Sequence, residues 1–259
     1  MSEVVTRKPP FEKGSDERNA VAQQLRALRV LERRFVFNGF PTLDYVAGRR
    51  PADYLESLDG LRHFFDYTRA AGDVRTVLDV GAGFSAGVSG LAKSNIGKGL
   101  DFRATGLVRS ERVDHYIGNE NFHTTSAEVL RGIPDNSIAG ILALNSVAYS
   151  ASPAMVVGRF NEVLIPGGAI KGLFRSRNLT TNETYYNLTQ FKTPDPFIAI
   201  LKGLGFDVAD SDDGVASVLL AIKPGGILQI KAQDLLDLDR IDHRTHLVRK
   251  IFLRLKEMF

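Results

Sequence analysis

The chain has 259 residues, of which 44% are hydrophobic, 24% are charged and none is cysteine. This composition is typical of one large α/β domain, or of one domain with additions. The lack of cysteine excludes a disulfide framework, a thiolate metal site and a cysteine nucleophile. No apolar run approaches ~20 residues and the N-terminus has no apolar signal segment, so we expect a cytoplasmic protein without a membrane span.

The net charge of +3 is unevenly distributed. Residues 1–50 carry ten Lys or Arg against six Asp or Glu, and residues 240–259 carry six against two. Basic ends of this kind either contact nucleic acid, an anionic membrane or an acidic partner, or form solvated helix faces. We favour solvated helix faces.

The N-terminal part is predicted to be largely helical. Ser15 is a favourable N-cap for an amphipathic basic helix, and a second helix begins at Pro51 and ends near Gly72. We therefore predict a helical cap or arm over residues 1–70, before a central domain over residues 71–228.

A buried strand, a glycine turn and a helix begin the central domain. The apolar run that starts at Thr76 leads to Asp79, and Gly81-Ala82-Gly83 and a helical pattern follow. Glycines allow a close approach of the backbone to a ligand, and a helix N-terminus offers unpaired N–H groups. The stretch predicts a nucleotide-type cofactor site.

Strands and helices alternate along the rest of this domain. Further strands are predicted at residues 102–108, 121–125, 138–144, 169–174, 206–209 and 216–223, with helices at 155–164 and 196–204. The pattern predicts an α/β fold with a doubly wound, mostly parallel seven-stranded sheet and a C-terminal antiparallel hairpin. Residues 229–259 are predicted to be a helical tail that packs on the domain or on a second subunit. Pro-Gly-Gly occurs twice, at residues 166–168 and 224–226, and we interpret the repeat as coincidence because the flanks differ.

Four motifs occur in order between residues 75 and 224. They are Asp-x-Gly-x-Gly after strand 1, Ser126-Ala127-Glu128 before a Pro-Asp-Asn-Ser turn, Asn161-Glu162-Val163-Leu164-Ile165-Pro166-Gly167-Gly168, and Leu204-Gly205-Phe206 before the hairpin. In this order they resemble the class I S-adenosylmethionine-dependent methyltransferases of the broad small-molecule type.

The resemblance implies a binding site for S-adenosylmethionine (SAM). The residues it implies are Asp79, Gly81, Ala82 and Gly83 at the methionine end, Ser126, Ala127 and Glu128 at the adenine, and Asn145 and Ser146 near the methyl group. All of them follow predicted strands, and ligands of open α/β sheets bind at the carboxyl ends of the strands.

The chain diverges from this family at the ribose position. Most members end strand 2 in an acid that binds both ribose hydroxyls, whereas the matching residue here is Val108, followed by Arg109, with Glu111 as the nearest acid. A hydrogen bond to a charged group contributes ~1.5–3 kcal/mol. Its loss corresponds to a roughly 10–100-fold lower affinity for the cofactor.

The resemblance implies methyl transfer to a small-molecule acceptor by in-line displacement, so the protein mainly aligns the reactants and excludes water. His115 and Tyr149 are our candidates for catalytic contacts with the acceptor. The five histidines show no zinc-binding spacing, and we expect no metal.

Other functions remain open. Val108 and an alanine at position 139, where strand 4 often has an acid, favour an inactive methyltransferase-like binding or assembly protein. The basic ends favour an RNA-directed methyltransferase. The Gly81-x-Gly83 turn with Arg109 also fits an NADP-binding dehydrogenase, although Tyr185 lacks the lysine four residues on that short-chain dehydrogenases have. A homodimer through the terminal helices is a further option, and contact with nucleic acid or a membrane surface is not favoured.

Overall fold

The structure is a computed structural model that describes residues 61–82, 86–106, 117–118, 120–144, 146–147, 150, 152–175, 193–212 and 216–238. The elements in these ranges are α1 (Leu61–Ala70), β1 (Thr76–Asp79), α2 (Ala86–Lys93), β2 (Asp101–Gly106), β3 (Phe122–Thr124), β4 (Ile138–Leu144), α3 (Pro153–Val163), β5 (Leu164–Arg175), α4 (Asp195–Gly203), β6 (Asp207–Asp212), β7 (Ala216–Ile222) and a last helix, α5, at 232–238. None of the described helices is long and apolar enough to cross a membrane.

The seven strands form one sheet with the order β3-β2-β1-β4-β5-β7-β6. Strands β1 to β5 pair in parallel, whereas β7 pairs antiparallel with both β5 and β6. The predicted seven-stranded, mostly parallel sheet with an antiparallel hairpin is therefore confirmed. The order reverses between β1 and β4, and open α/β sheets bind ligands at the carboxyl ends of strands beside such a reversal.

Helices cover both faces of the sheet. On one face Phe64 and Phe65 of α1 belong to a buried cluster that also includes residues of α2 and α5. On the other face Phe160 of α3 and Phe197 of α4 belong to a second cluster. All seven residues of β4 are buried, as expected for a continuous apolar run in a central parallel strand. The rest of the predicted cap, residues 1–60, and the end of the tail, residues 239–259, lie outside the described residues.

The start of β5 differs from the prediction. Leu164 is already extended and pairs with Ile138, and the next pair is Gly140 with Ala169. Residues 165–168 of β5 therefore stand opposite the single residue Ala139 of β4, and the three extra residues form a bulge in the β4–β5 ladder. We expected these residues to end a helix and precede the strand, because Pro and Gly usually interrupt regular structure.

The two Pro-Gly-Gly segments pack against each other at this bulge. A Cβ at position 167 would lie 2.6 Å from Cα of Gly226, so the two backbones are in direct contact. The N–H of Gly167 donates to the carbonyl of Lys223 (3.1 Å), and the N–H of Lys223 donates to the carbonyl of Gly168 (2.9 Å). The interpretation of the repeat as coincidence did not foresee this contact, which arises because β5 and β7 are antiparallel neighbours and bring the two segments together.

Candidate functional site

A tight turn after β1 lies between the ends of β2 and β4. Asp79, the last residue of β1, is only 1% exposed. The N–H of Val80 donates to the carbonyl of Leu142 in β4 (2.8 Å), and the N–H of Ala82 donates to the carbonyl of Thr105 in β2 (2.9 Å). Between these two bonds Gly81 has a φ of +73°, the left-handed conformation that glycine adopts without strain.

Gly81 is surrounded closely by two hydroxyl-bearing residues. Its N–H donates to Oγ1 of Thr105 at 3.2 Å. A Cβ at position 81 would lie 2.5 Å from Cβ of Ser146, which follows β4, so no larger residue fits without movement of that backbone. The glycine turn therefore brings the carboxyl ends of β1, β2 and β4 into one small region.

Two buried hydroxyls at this edge of the sheet have no hydrogen-bond partner within the described part of the chain. They are Oγ of Ser126, in a residue that is 2% exposed, and Oγ of Ser146. A buried polar atom without a partner costs about 1–3 kcal/mol, and such atoms need an explanation, such as a ligand. Both hydroxyls are therefore available to a ligand that carries polar groups.

Residues 125–133, which we call the β3 loop, are held at the ends of β2 and β3. The N–H of Thr125 donates to the carbonyl of Gly106 (3.0 Å), and the N–H of Arg131 donates back to Oγ1 of Thr125 (2.9 Å). Leu130 adopts a φ of +45°, which is uncommon for a non-glycine residue. The closed turn buries its inner residues, namely Ser126, Ala127 and Glu128.

Charged groups also lie in the buried part of the sheet. Asp79 is in register with Leu142, and Leu142 is in register with Lys171 of β5, which is 1% exposed. Residues in register on parallel strands point to the same face, so Asp79 and Lys171 share a face about 10 Å apart at the backbone.

His123 lies in β3, directly before the β3 loop. Burial, and then the positive charge of Arg103, lower the pKa of His123 below its usual range. The ring is therefore neutral at neutral pH. Its Nδ1 lies close to the loop, because a Cβ at position 132 would be 3.2 Å from this atom.

The structure places seven of the residues that the resemblance implies at the carboxyl edge of the sheet. These are Asp79, Gly81, Ala82, Ser126, Ala127, Glu128 and Ser146. Gly83, Asn145, His115 and Tyr149 lie outside the described residues, and so do Val108, Arg109 and Glu111. The sequence analysis did not identify Thr105 and Lys171 as residues near the site. Each is a polar residue within a buried, mostly apolar strand, and that pattern could have indicated them.

Known proteins resemble the chain in structure but not in sequence. No protein-family model matches it, and no curated protein matches it. A SAM-dependent methyltransferase of Thermotoga maritima is similar, with 13% identity and a TM-score of 0.50 over 76% of this chain and 99% of that one. An O-methyltransferase family protein of Burkholderia thailandensis has 12% identity and a TM-score of 0.54, over 81% and 69% of the two chains. The DszA carbon methyltransferase has 17% identity and a TM-score of 0.53, over 80% and 67%.

These identities are too low to carry over a substrate or a catalytic residue, and the likeness concerns the fold. The strand order, the antiparallel hairpin and the glycine turn after β1 agree with it. The chain therefore has the Rossmann-like fold of the class I SAM-dependent methyltransferases.

Proposed function

We propose that the chain binds SAM across the carboxyl ends of β1, β3 and β4 and transfers its methyl group to a small molecule. The observation that carries this proposal is the arrangement around Gly81. There a backbone turn that only glycine fits lies against Ser146. The buried hydroxyls of Ser126 and Ser146 have no hydrogen-bond partner among the described residues. SAM carries amino, carboxyl, hydroxyl and adenine groups that such hydroxyls and backbone N–H groups can bind.

The roles of the residues follow from their positions. Asp79 and the turn at Gly81-Ala82-Gly83 would hold the methionine end, and Ser126-Ala127-Glu128 would hold the adenine. Asn145 would lie beside the reacting methyl group. SAM, when bound, supplies a methyl group that is already activated by its sulfonium, and the chain aligns the acceptor with it. His115 and Tyr149 are the proposed contacts to the acceptor, with His115 as the group that would accept a proton.

The names of similar structures point to different acceptor atoms. They include a possible histamine N-methyltransferase, an O-methyltransferase family protein and a carbon methyltransferase, names that refer to nitrogen, oxygen and carbon. One fold therefore serves several acceptors, as is usual for folds that host many functions. A small-molecule acceptor rests on the resemblance of the motifs to the small-molecule type.

A second candidate is a binding or assembly protein without catalytic activity. Val108 at the ribose position and the fully buried Ala139 in β4, both at places where an acid is common, favour it. Under this alternative the chain would still bind a ligand at Gly81, and no methyl transfer would follow.

Labelled SAM distinguishes these functions. The purified chain would be incubated with SAM that carries a radioactive methyl group and with a cell extract separated into small molecules, proteins and RNA. We expect label in the small-molecule fraction and none with Gly81→Val. Label in the RNA fraction would support the RNA-directed alternative, and binding of SAM without label in any fraction would support the inactive protein.

A further inference from the structure

Arg159, on α3, holds the β3 loop from its outer side. Its Nε donates to the carbonyl of Val129 at 2.9 Å, and its Nη2 donates to the carbonyl of Ile133 at 2.7 Å. The same guanidinium pairs through Nη1 with Asp135 at 2.7 Å and with Glu162 at 2.6 Å. One side chain thus connects α3, the β3 loop and the turn that leads into β4.

The geometry of these bonds requires arginine. Two backbone carbonyls and two carboxylates are bound at once by a planar group that has five donors in a fixed arrangement. The side chain is 20% exposed, so water replaces these bonds only in part when they are lost. A lysine ammonium at the same position has three donors and cannot reach all four acceptors.

The inner side of the same loop carries the candidate ligand contacts. The buried hydroxyl of Ser126 has no hydrogen-bond partner among the described residues. The backbone carbonyl of Ser126 accepts from the N–H groups of Val129 and Leu130 at 3.3 and 3.0 Å. Arg159 binds the loop at Val129, three residues after Ser126, and again at Ile133. The direction of the Ser126 hydroxyl therefore depends on a backbone that Arg159 fixes.

The helix that carries Arg159 has a capped N-terminus. The hydroxyl of Ser152 caps α3 by accepting from the N–H of Met155 at 3.3 Å, and Pro153 takes the first position of the helix. Arg159 is therefore carried by a helix whose first turn is fixed by its own cap.

We propose that Arg159 is a positioning residue that fixes the β3 loop in the conformation that binds the adenine end of the cofactor. The proposal rests on the proposed function, since the ligand of the loop is taken to be SAM. It goes beyond that function, because Arg159 belongs to none of the implied binding motifs. The loop would open when Arg159 is removed, and only the closed fraction would bind.

The test compares Arg159→Met and Arg159→Lys with a matched control, Arg69→Met. Arg69 also donates to a backbone carbonyl, that of Ile96 (2.6 Å), and also has an ion pair at i,i+3, with Asp66, but it does not contact the β3 loop. Calorimetry gives the Kd of each protein for S-adenosylhomocysteine (SAH). Hydrogen exchange at the amides of Leu130 and Arg131 gives the closed fraction of the loop.

We expect Arg159→Met to raise the Kd for SAH by about tenfold or more, because the loop loses its hydrogen bonds to the guanidinium and only the closed fraction binds. Arg159→Lys should fall between Arg159→Met and the unchanged chain, and Arg69→Met should stay within about twofold of the unchanged chain. The fold-rise in Kd should equal the fold-loss of the closed fraction, because the apparent Kd is the intrinsic Kd divided by that fraction. A role in general stability would not produce this match.

Three results would overturn the proposal. The first is a Kd for Arg159→Met within twofold of that of the unchanged chain, whether or not the closed fraction of the loop falls. The second is an equal rise in Arg69→Met. Both leave the proposed function standing. The third, no binding of SAH by the unchanged chain, would overturn the proposed function together with the role of Arg159.

Discussion

Gly81→Ala tests the contact on which the candidate site is built. The substitution forces an alanine into a φ of +73° and places a Cβ 2.5 Å from Cβ of Ser146. The left-handed conformation costs a non-glycine residue roughly 1–2 kcal/mol, and overpacking adds typically about 1–3 kcal/mol. We therefore expect the free energy of unfolding to fall by roughly 2–5 kcal/mol.

Two variants separate the two costs. Gly99→Ala has a φ of +80° with no atom within 4 Å of the added Cβ, so it carries the backbone cost alone, roughly 1–2 kcal/mol. In a Ser146→Gly background the clash is removed, and Gly81→Ala should cost about as much as Gly99→Ala. Urea unfolding of the unchanged chain, the three single variants and the double variant measures each free energy. A cost for Gly81→Ala no larger than that for Gly99→Ala, or one unchanged by Ser146→Gly, would refute the contact.

Three further predictions concern the sheet and its coverage. Gly172→Ala should raise the free energy of unfolding by about 0.5–1 kcal/mol, since its Cβ would make only ordinary contacts of 3.4 Å or more in a small apolar cavity; thermal unfolding that shows a loss contradicts this. Gly226→Ala should lower it by roughly 1–3 kcal/mol, because its Cβ would lie 2.5 Å from Cα of Gly167; unchanged urea unfolding argues against contact between the two Pro-Gly-Gly segments. Burial, and then the charge of Asp207, raise the pKa of Tyr67 to about 12. An unfolded tyrosine titrates near pH 10, so this stabilisation is complete below about pH 10 and is lost as the pH rises through about 12. Between pH 9 and 11 the chain should therefore lose about 1 kcal/mol more stability than Tyr67→Phe, and equal losses would contradict the shift.

The sequence predicted the elements of the sheet where the local pattern decides them. β4 was expected at residues 138–144 and is found there, because a continuous apolar run in a central parallel strand has few other ways to be buried. The beginning of β5 was misplaced, because the bulge at residues 166–168 is stabilised by Lys223 and Gly226, which follow β7 far along the chain. A contact between residues so far apart in the sequence produces no signal in the local sequence pattern.

The candidate site shows the same division. Gly81 and Ser126 were found because the strand, the turn and the motif order are local features. Thr105, Lys171 and Arg159 were not found, because their roles depend on register across strands and on the packing of α3 against the β3 loop. The resemblance implied only that Ser146 lies near the methyl group, and its contact with Gly81 is seen in the structure alone.

Calorimetric titration with SAH, the demethylated form of SAM, tests the central claim most directly. It asks whether the site at Gly81 binds this type of ligand although position 108 carries no acid. We predict saturable binding at one site in the unchanged chain and its loss in Gly81→Val, with the variant folded as judged by circular dichroism. No heat from either SAH or SAM at millimolar concentration and at two temperatures would contradict the claim.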